Sequence, residues 1–346
     1  MEREPFAVSV AIPAFNEAPR IEKTIASIQA QTEPPAEIIV VDDGSRDGTA
    51  EVARSLGVRV LQQANAGVAA ARNHAIREAS SPWIAFCDAD DFWYPEKLAA
   101  CRLAHEARPD VGFLFTDYSV ENRARVETQS TFSVTPEFAE HVCERIGEGI
   151  AFFEGPVLAR ALAQCNFIQP STVIVRRALL IERSILFDVA LPHNEDFCIG
   201  EDYEWYLRLL GATDALAVER ALVLYRRRAG SLSEDAGRYK YGDAKLGELI
   251  AKQPERYVAG LAAVFAVQRR RHLYDSARYY GRALRFAKMR AKLREAQRLE
   301  FHAGDELLWM LAGAAALPGG TRIADALRSA WLRVLKPVIR RTRRAP

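Results

Sequence analysis

The hydrophobic positions in the first third of the chain switch period repeatedly. Val8, Val10 and Ile12 recur at every second position, which predicts a strand; after Pro19, Ile21, Ile25 and Ile28 fall on one face of a helix. The run Ile38-Ile39-Val40-Val41 is short, β-branched and uninterrupted, as in a strand covered on both faces, and Asp42-Asp43-Gly44-Ser45 ends it in a turn. The same reading predicts a helix from about Gly48, a strand at 58–61 and an Ala-rich helix at 68–79. It continues with a strand at 83–87, a helix at 95–105 and a strand at 111–115. Such βα repetition implies a doubly wound α/β sheet with helices on both faces. From 118 to 168 the periodicity weakens, and loops with short helices are expected. Beyond lie a strand at 172–175, a helix at 202–210 and a strand around 216–224, and from Gly242 onward the pattern is almost wholly helical.

Ligands of open α/β sheets bind beyond the carboxyl ends of the strands. Three polar clusters fall at such ends: Pro13-Ala14-Phe15-Asn16-Glu17, Asp42-Asp43-Gly44-Ser45 and Asp88-Ala89-Asp90-Asp91. No GxGxxG follows the first strand, so the dehydrogenase type of dinucleotide cradle is missing. A cation held by carboxylates is then the obvious candidate for receiving an anionic group. If the strand stays extended through Asp88-Ala89-Asp90, the side chains of Asp88 and Asp90 converge and Asp91 turns away. Two such carboxylates suit a hard divalent ion that completes its shell with phosphate oxygens and water. The bland alternative is an aspartate-rich turn, with Asp91 capping the helix that begins near Pro95.

Taken in order, these clusters resemble the family-2 glycosyltransferases, whose fold is GT-A. The resemblance rests on Ile12-Pro13-Ala14-Phe15-Asn16-Glu17, Val41-Asp42-Asp43-Gly44-Ser45 with Asp47-Gly48-Thr49, and Asn65-Ala66-Gly67. It continues through Ala71-Arg72-Asn73, Asp88-Ala89-Asp90-Asp91, Gly200-Glu201-Asp202 and the stretch from Tyr225 to Ser233, and covers roughly residues 6 to 235. It implies a mixed, mostly parallel sheet and an inverting transfer of sugar from a nucleoside-diphosphate donor, UDP-sugar first among them, to a glycan or glycolipid acceptor. It also implies roles. Pro13, Phe15 and Glu17 would form the first nucleotide-contacting loop, with Phe15 near the base. Asp43 would read the base edge, Asp88 would sit by ribose and sugar and assist the metal, Asp90 would bind Mn²⁺ or Mg²⁺, and Asp202 would be the catalytic base. Arg72 and Asn73 either brace the sheet or touch ligand. Many relatives carry a histidine in the loop after the last strand, where this chain has Arg228. Arginine cannot coordinate a cation but can clamp phosphate bidentately, so Arg228 is expected on the diphosphate.

Asp202 opens a predicted helix, where a carboxylate is favoured in its charged form, and its alternative role is that of a cap. A nucleotidyltransferase is a rival reading, but the segment 13–17 lacks the glycine-rich loop such enzymes place after the first strand. A catalytically silent nucleotide-sugar-binding module is the other rival, and it would be expected to lose Asp90 or Asp202.

Composition changes the picture mainly at the C-terminus. Of 346 residues with a net charge of +2, the segment 321–346 carries +7 and the rest −5. Ile323, Leu327, Trp331, Leu335 and Val338 recur there at helical spacing among the basic residues, a pattern suited to an anionic membrane surface or to a helix docked on the protein. No nucleic-acid partner is expected. No apolar run reaches the ~20 residues a spanning helix needs, and no leader segment is expected from the pattern at the first strand. Five cysteines without metal-ligand spacing fit reduced thiols. The expectation is a cytoplasmic enzyme, peripheral on the inner face of the cell membrane, with a catalytic domain at 1–235 and a helical extension at 236–346.

Overall fold

The computed structural model describes residues 6–122, 125–192, 194, 196–227, 235–282 and 286–297. The strands are β1 (Val8–Ala14), β2 (Glu37–Asp42), β3 (Arg59–Gln62), β4 (Trp83–Phe86), β5 (Phe92–Trp93), β6 (Phe113–Asn122), β7 (Arg125–Thr128), β8 (Glu144–Arg145), β9 (Ile150–Phe153), β10 (Val173–Arg176) and β11 (Ala215–Arg227). Between them run α1 (Ala18–Gln29), α2 (Thr49–Ser55), α3 (Val68–Glu78), α4 (Lys97–Ala107), α5 (Pro136–Glu140), α6 (Gly155–Gln164), α7 (Arg177–Glu182) and α8 (Glu201–Leu209). Helices α9 (Ala236–Lys252), α10 (Leu261–Arg282) and α11 (Phe286–Gln297) follow.

The chain divides into two compact units. The first comprises Met1–Pro192, Ile199–Glu234 and Leu246–Phe265; the second comprises His193–Cys198, Asp235–Lys245 and Ala266–Pro346. The first unit is built on one sheet, ordered β3-β2-β1-β4-β10-β6-β11-β9-β8, with β5 added to β11 and β7 to β6. Strands β3, β2, β1 and β4 are parallel, as the repetition of strand and helix predicts. Beyond β4 the doubly wound pattern stops. β10 runs antiparallel to both β4 and β6, and β11 is parallel to β6 but antiparallel to β9.

All seven residues of β1 are buried, so the face opposite Val8, Val10 and Ile12 is also covered and carries the small residues Ser9 and Ala11 with Pro13. On one face, Val8, Val10 and Ile12 share a core with Ile21, Ile25 and Ile28 of α1 and with Leu98 and Cys101 of α4. Each such aliphatic side chain contributes about 1.5–3 kcal/mol by leaving water. A second aromatic core stacks Phe187 on Trp205 at 4.4 Å, with Phe86 edge-on to both. Because β1 leads to β2 on one side and pairs with β4 on the other, the sheet switches direction between β1 and β4. The loops at residues 14–18 and 87–91 therefore open together at a crevice.

The stretch from 118 to 168 is more ordered than its pattern predicts. It holds the end of β6, the β7 hairpin, β8, β9 and a ten-residue α6. The polar Asp117 and Ser119 masked β6, yet both are buried, because Asp117 accepts hydrogen bonds from the Tyr118, Thr131 and Phe132 amides and from the Ser130 hydroxyl. In the second unit, Tyr241, Ala244, Leu273 and Ala296 form one apolar cluster, and Ala277, Tyr280, Met289 and Leu293 another. The Lys292 ammonium lies 3.0 Å from the centre of the Tyr241 ring. Cys87 and Cys101 are small core residues, whereas Cys143 is exposed and Cys165 and Cys198 are partly exposed. Among the described residues no helix is long and apolar enough to cross a membrane. Arg228 and the basic segment 321–346 lie outside the described residues.

Candidate active site

Two loops at the ends of β1 and β2 are laced together by hydrogen bonds. The Asn16 amide donates to Ser45 Oγ at 2.9 Å, and the Arg46 amide donates to Asn16 Oδ1 at 2.9 Å. The Glu17 and Ala18 amides donate to Thr49 Oγ1 at 2.9 Å and to Asp47 Oδ2 at 3.1 Å. Asn16 has a positive φ of 55°, a conformation asparagine tolerates better than most residues. This sharp reversal leaves Phe15 beside it 49% exposed, so Phe15 is no core residue. Pro13 is buried within β1, opposite Val41. Glu17 is buried too, with Oε2 at 2.5 Å from Arg20 Nε.

Asp43 is 4% exposed, and both its oxygens are engaged. Oδ1 accepts from the Ala66 amide and from Gln63 Nε2, and Oδ2 accepts from the Gly67 amide, each at 2.8 Å. The carboxylate thus shapes the exposed loop at 63–67 against the end of β2, and Oδ2, with a single donor, keeps lone-pair capacity for another. Gly44 is required here: its φ is +79°, and a Cβ would lie 3.0 Å from the Asn65 amide nitrogen.

At the end of β4 the chain does not stay extended. The Asp91 amide donates to the Asp88 carbonyl at 3.0 Å, closing a turn over Asp88-Ala89-Asp90-Asp91. Asp88 and Asp90 are both partly exposed. Asp91 is not turned out to cap a helix. It is 1% exposed and points inward, because the turn replaces the alternation of a strand, and α4 begins after Glu96 without a side-chain cap. Burial, with Asp88 and Asp90 beside it, pushes the Asp91 carboxyl well above the usual carboxylate range. The turn is gripped from several sides. Thr24 Oγ1 of α1 lies 2.9 Å from the Ala89 carbonyl and 2.8 Å from the Asp91 carbonyl, and the Asp88 amide donates to Ser171 Oγ at 2.9 Å.

Arg72, on α3, is the pivot that sequence reasoning left unassigned. It is 2% exposed, donates to Asp88 Oδ1 at 2.8 Å through one nitrogen and to Glu201 Oε1 at 2.7 Å through another, and lies over the Phe187 ring at 5.4 Å. Its two carboxylate partners push its pKa further up against the opposing effect of burial, so the guanidinium stays charged. The available signal was a charged residue on an otherwise alanine-lined buried helix face. Asn73 is a brace: its side chain donates to the Phe187 carbonyl and accepts from the Phe187 amide, each at 2.8 Å.

Asp202 lies in the first turn of α8, whose N-cap position is Gly200. Its Oδ1 accepts from the adjacent Tyr203 amide at 2.8 Å, so it is not a helix cap. The helix start would favour a charged carboxylate, but burial and then the neighbouring Glu201 charge outweigh this and the pull of Arg72, raising its pKa to about 7. A carboxylate poised there can accept a proton from a hydroxyl near neutral pH. The three carboxyl groups of Asp88, Glu201 and Asp202 therefore converge around one buried arginine.

No group of three or more His, Cys, Asp or Glu among the described residues is spaced to hold a metal by itself. The oxygen donors of Asp88 and Asp90 nevertheless fit a hard divalent ion that takes most of its ligands from a diphosphate and water. Asp88 gives one oxygen to Arg72, leaving Oδ2 for such an ion.

An open α/β sheet with acidic turns at its switch point defines the class, that of the GT-A transferases, and solved structures bear out the fold. The crystal structure of S. aureus TarS 1-349 in complex with UDP-GlcNAc aligns with a TM-score of 0.56 at 20% identity, covering 93% of this chain and 83% of that one. The mannosyltransferase PcManGT from Pyrobaculum calidifontis, in complex with GDP-Man and Mn²⁺, aligns with a TM-score of 0.52 at 19% identity, covering 93% and 84%. The model of glycosyl transferase family 2 matches residues 9–167, so this segment is a domain of that type. The succinoglycan biosynthesis protein ExoU of Rhizobium meliloti is 33% identical over 218 residues, 60% of this chain and 57% of ExoU. An uncharacterized glycosyltransferase of Bacillus subtilis, EpsJ, is 30% identical over 241 residues, 66% of this chain and 63% of EpsJ. The aligned region thus spans about three-fifths of the length of these relatives.

Proposed function

We propose that the protein transfers a sugar from a nucleoside-diphosphate donor, UDP-sugar first among the candidates, to a hydroxyl of a growing polysaccharide or other glycoconjugate, with inversion at the anomeric carbon. The observation that carries this reading is the cluster at the switch point: Asp88 and Asp90 on one turn, joined through buried Arg72 to Glu201 beside Asp202. In this reading Phe15 lies near the base and Asp43 reads its edge, while Asp88 lies by the ribose and sugar and assists Asp90, which binds the metal. Arg228 receives the phosphates of the donor. The divalent ion, when bound, neutralises the charge that builds on the departing diphosphate. The acceptor oxygen attacks the anomeric carbon from the side of Asp202, which takes the hydroxyl proton as the bond to the diphosphate oxygen breaks. Succinoglycan biosynthesis by the relative ExoU supports a polysaccharide acceptor.

Two experiments test this reading. Calorimetric titration with UDP, and with GDP in parallel, should show binding in Mn²⁺ or Mg²⁺ that is lost in chelator, and Asp90→Ala should reproduce the loss. Undiminished affinity of the wild type in chelator would exclude the metal. The domain at 1–235 is read as catalytic, and the segment from Thr321 as an attachment to the anionic cytoplasmic face. Near such a surface each basic residue contributes about 1 kcal/mol, so a chain ending at Gly320 should sediment less with anionic vesicles at low salt than the full chain does. Equal sedimentation would reduce the segment to a protein-docked or solvated terminus.

A further inference from the structure

The buried Asp91 and Ser171 have no part in the roles assigned so far, yet they touch every side of the metal-proximal turn. Ser171 is 0% exposed and precedes β10. Its hydroxyl accepts from the Asp88 amide at 2.9 Å and donates to Asp91 Oδ2 at 2.5 Å, while its carbonyl accepts from Trp93 Nε1 at 2.9 Å. One serine therefore holds the first and last residues of the turn and Trp93 beyond it. The Lys97 ammonium, 4.1 Å from the centre of the Trp93 ring, closes the far side of that indole.

The other oxygen of Asp91 reaches a different strand. The two residues after it, Phe92 and Trp93, pair antiparallel with Leu224 and Val223 of β11. One step further along, the Arg226 amide donates to Asp91 Oδ1 at 3.2 Å, so a side chain continues the ladder where the backbone has already turned away. This bond fixes the register of the end of β11, where the run Arg226-Arg227-Arg228 begins, against the turn that carries Asp88 and Asp90.

We propose that Asp91 and Ser171 act together as positioning residues, a buried hydroxyl–carboxylate pair that sets the Asp88–Asp90 turn and the arginine-bearing end of β11 at one fixed spacing for the diphosphate of the donor. The proposal rests on the reading of that turn as the diphosphate site. A pair serving only the stability of the core would hold the same atoms, but its loss would leave the affinity of the folded fraction for a diphosphate unchanged.

The test uses the full chain and calorimetry with UDP or GDP in Mn²⁺, whichever the wild type binds, together with thermal melting. Ser171→Ala and Asp91→Asn should each weaken binding about tenfold or more while the protein still melts cooperatively. Ser171→Thr, which keeps the hydroxyl, should restore most of the affinity, and the double variant should be little worse than the weaker single, since both changes break one unit. If Ser171→Ala fails to fold, Asp91→Asn and Ser171→Thr decide the matter through the same affinities. Wild-type affinity in the folded variants, or losses that simply add, would overturn the proposal. A wild type that binds neither nucleotide would overturn the donor reading and the pair's role with it, a result distinct from any difference between wild type and variants.

Discussion

Asp202→Asn should fold and bind the nucleoside diphosphate like the wild type, yet transfer sugar about 10²–10⁴-fold more slowly. Asparagine keeps the shape of the side chain and can still accept the hydrogen bond that the Tyr203 amide gives Asp202 Oδ1, so the start of α8 is preserved. What disappears is the ability to take a proton. The pH profile gives a second, independent mark of that loss. Burial first, and then the Glu201 charge, hold the Asp202 carboxyl at about 7, well above its ordinary value. A general base works only when deprotonated, so wild-type turnover should rise as pH increases through about 7 and fall below it. The residual turnover of Asp202→Asn should lack that limb. Turnover near the wild-type rate would move the base elsewhere, with Glu201 the first residue to examine.

The pattern of the chain made the parallel half of the sheet legible because β1 and β2 are buried on both faces and consist of little but aliphatic residues. The acidic turns were legible for a related reason: each interrupts an apolar strand at its carboxyl end, where a polar cluster has no role in the core. The antiparallel half was harder to read. β6 keeps Asp117 buried through hydrogen bonds with a segment more than ten residues away and Ser119 through one to the Val223 carbonyl, and a local pattern cannot register such compensation. Asp91 was misplaced for a similar reason. Alternation along an extended strand turns it outward, but the hydrogen bond from its own amide to the Asp88 carbonyl bends the chain, and Ser171 and the Arg226 amide then supply the partners that make burial tolerable. Asp202 was singled out by resemblance, but the rise in its pKa was not foreseen, because it depends on burial and on Glu201 rather than on the helix end alone.

The convergence of acidic groups on Arg72 leads to the second large effect. Arg72→Met removes the one buried cation among Asp88, Glu201 and Asp202 while filling much of the space its side chain occupied. Breaking a fully buried ion pair costs about 3–5 kcal/mol, mainly by leaving a charge buried without its partner. Here the charge that remains belongs to carboxylates about a quarter to a third exposed, which water can screen. The expected loss of stability is therefore smaller, about 2–3 kcal/mol, and is readable as a lowered midpoint in urea. The effect on chemistry should be larger. Without Arg72, Asp88 loses its fixed orientation toward the donor, and Asp202 loses the positive charge that opposes the rise in its pKa. The rising limb of the pH profile should move to higher pH, and turnover at neutral pH should fall by at least tenfold, since most of the base is then protonated. Arg72→Lys keeps the charge but cannot reach Asp88 and Glu201 through two separate nitrogens, so it should restore the position of the limb more fully than the rate. An unshifted limb in Arg72→Met, with turnover reduced only in proportion to the unfolded fraction, would make Arg72 a strut of the fold with no hold on the base.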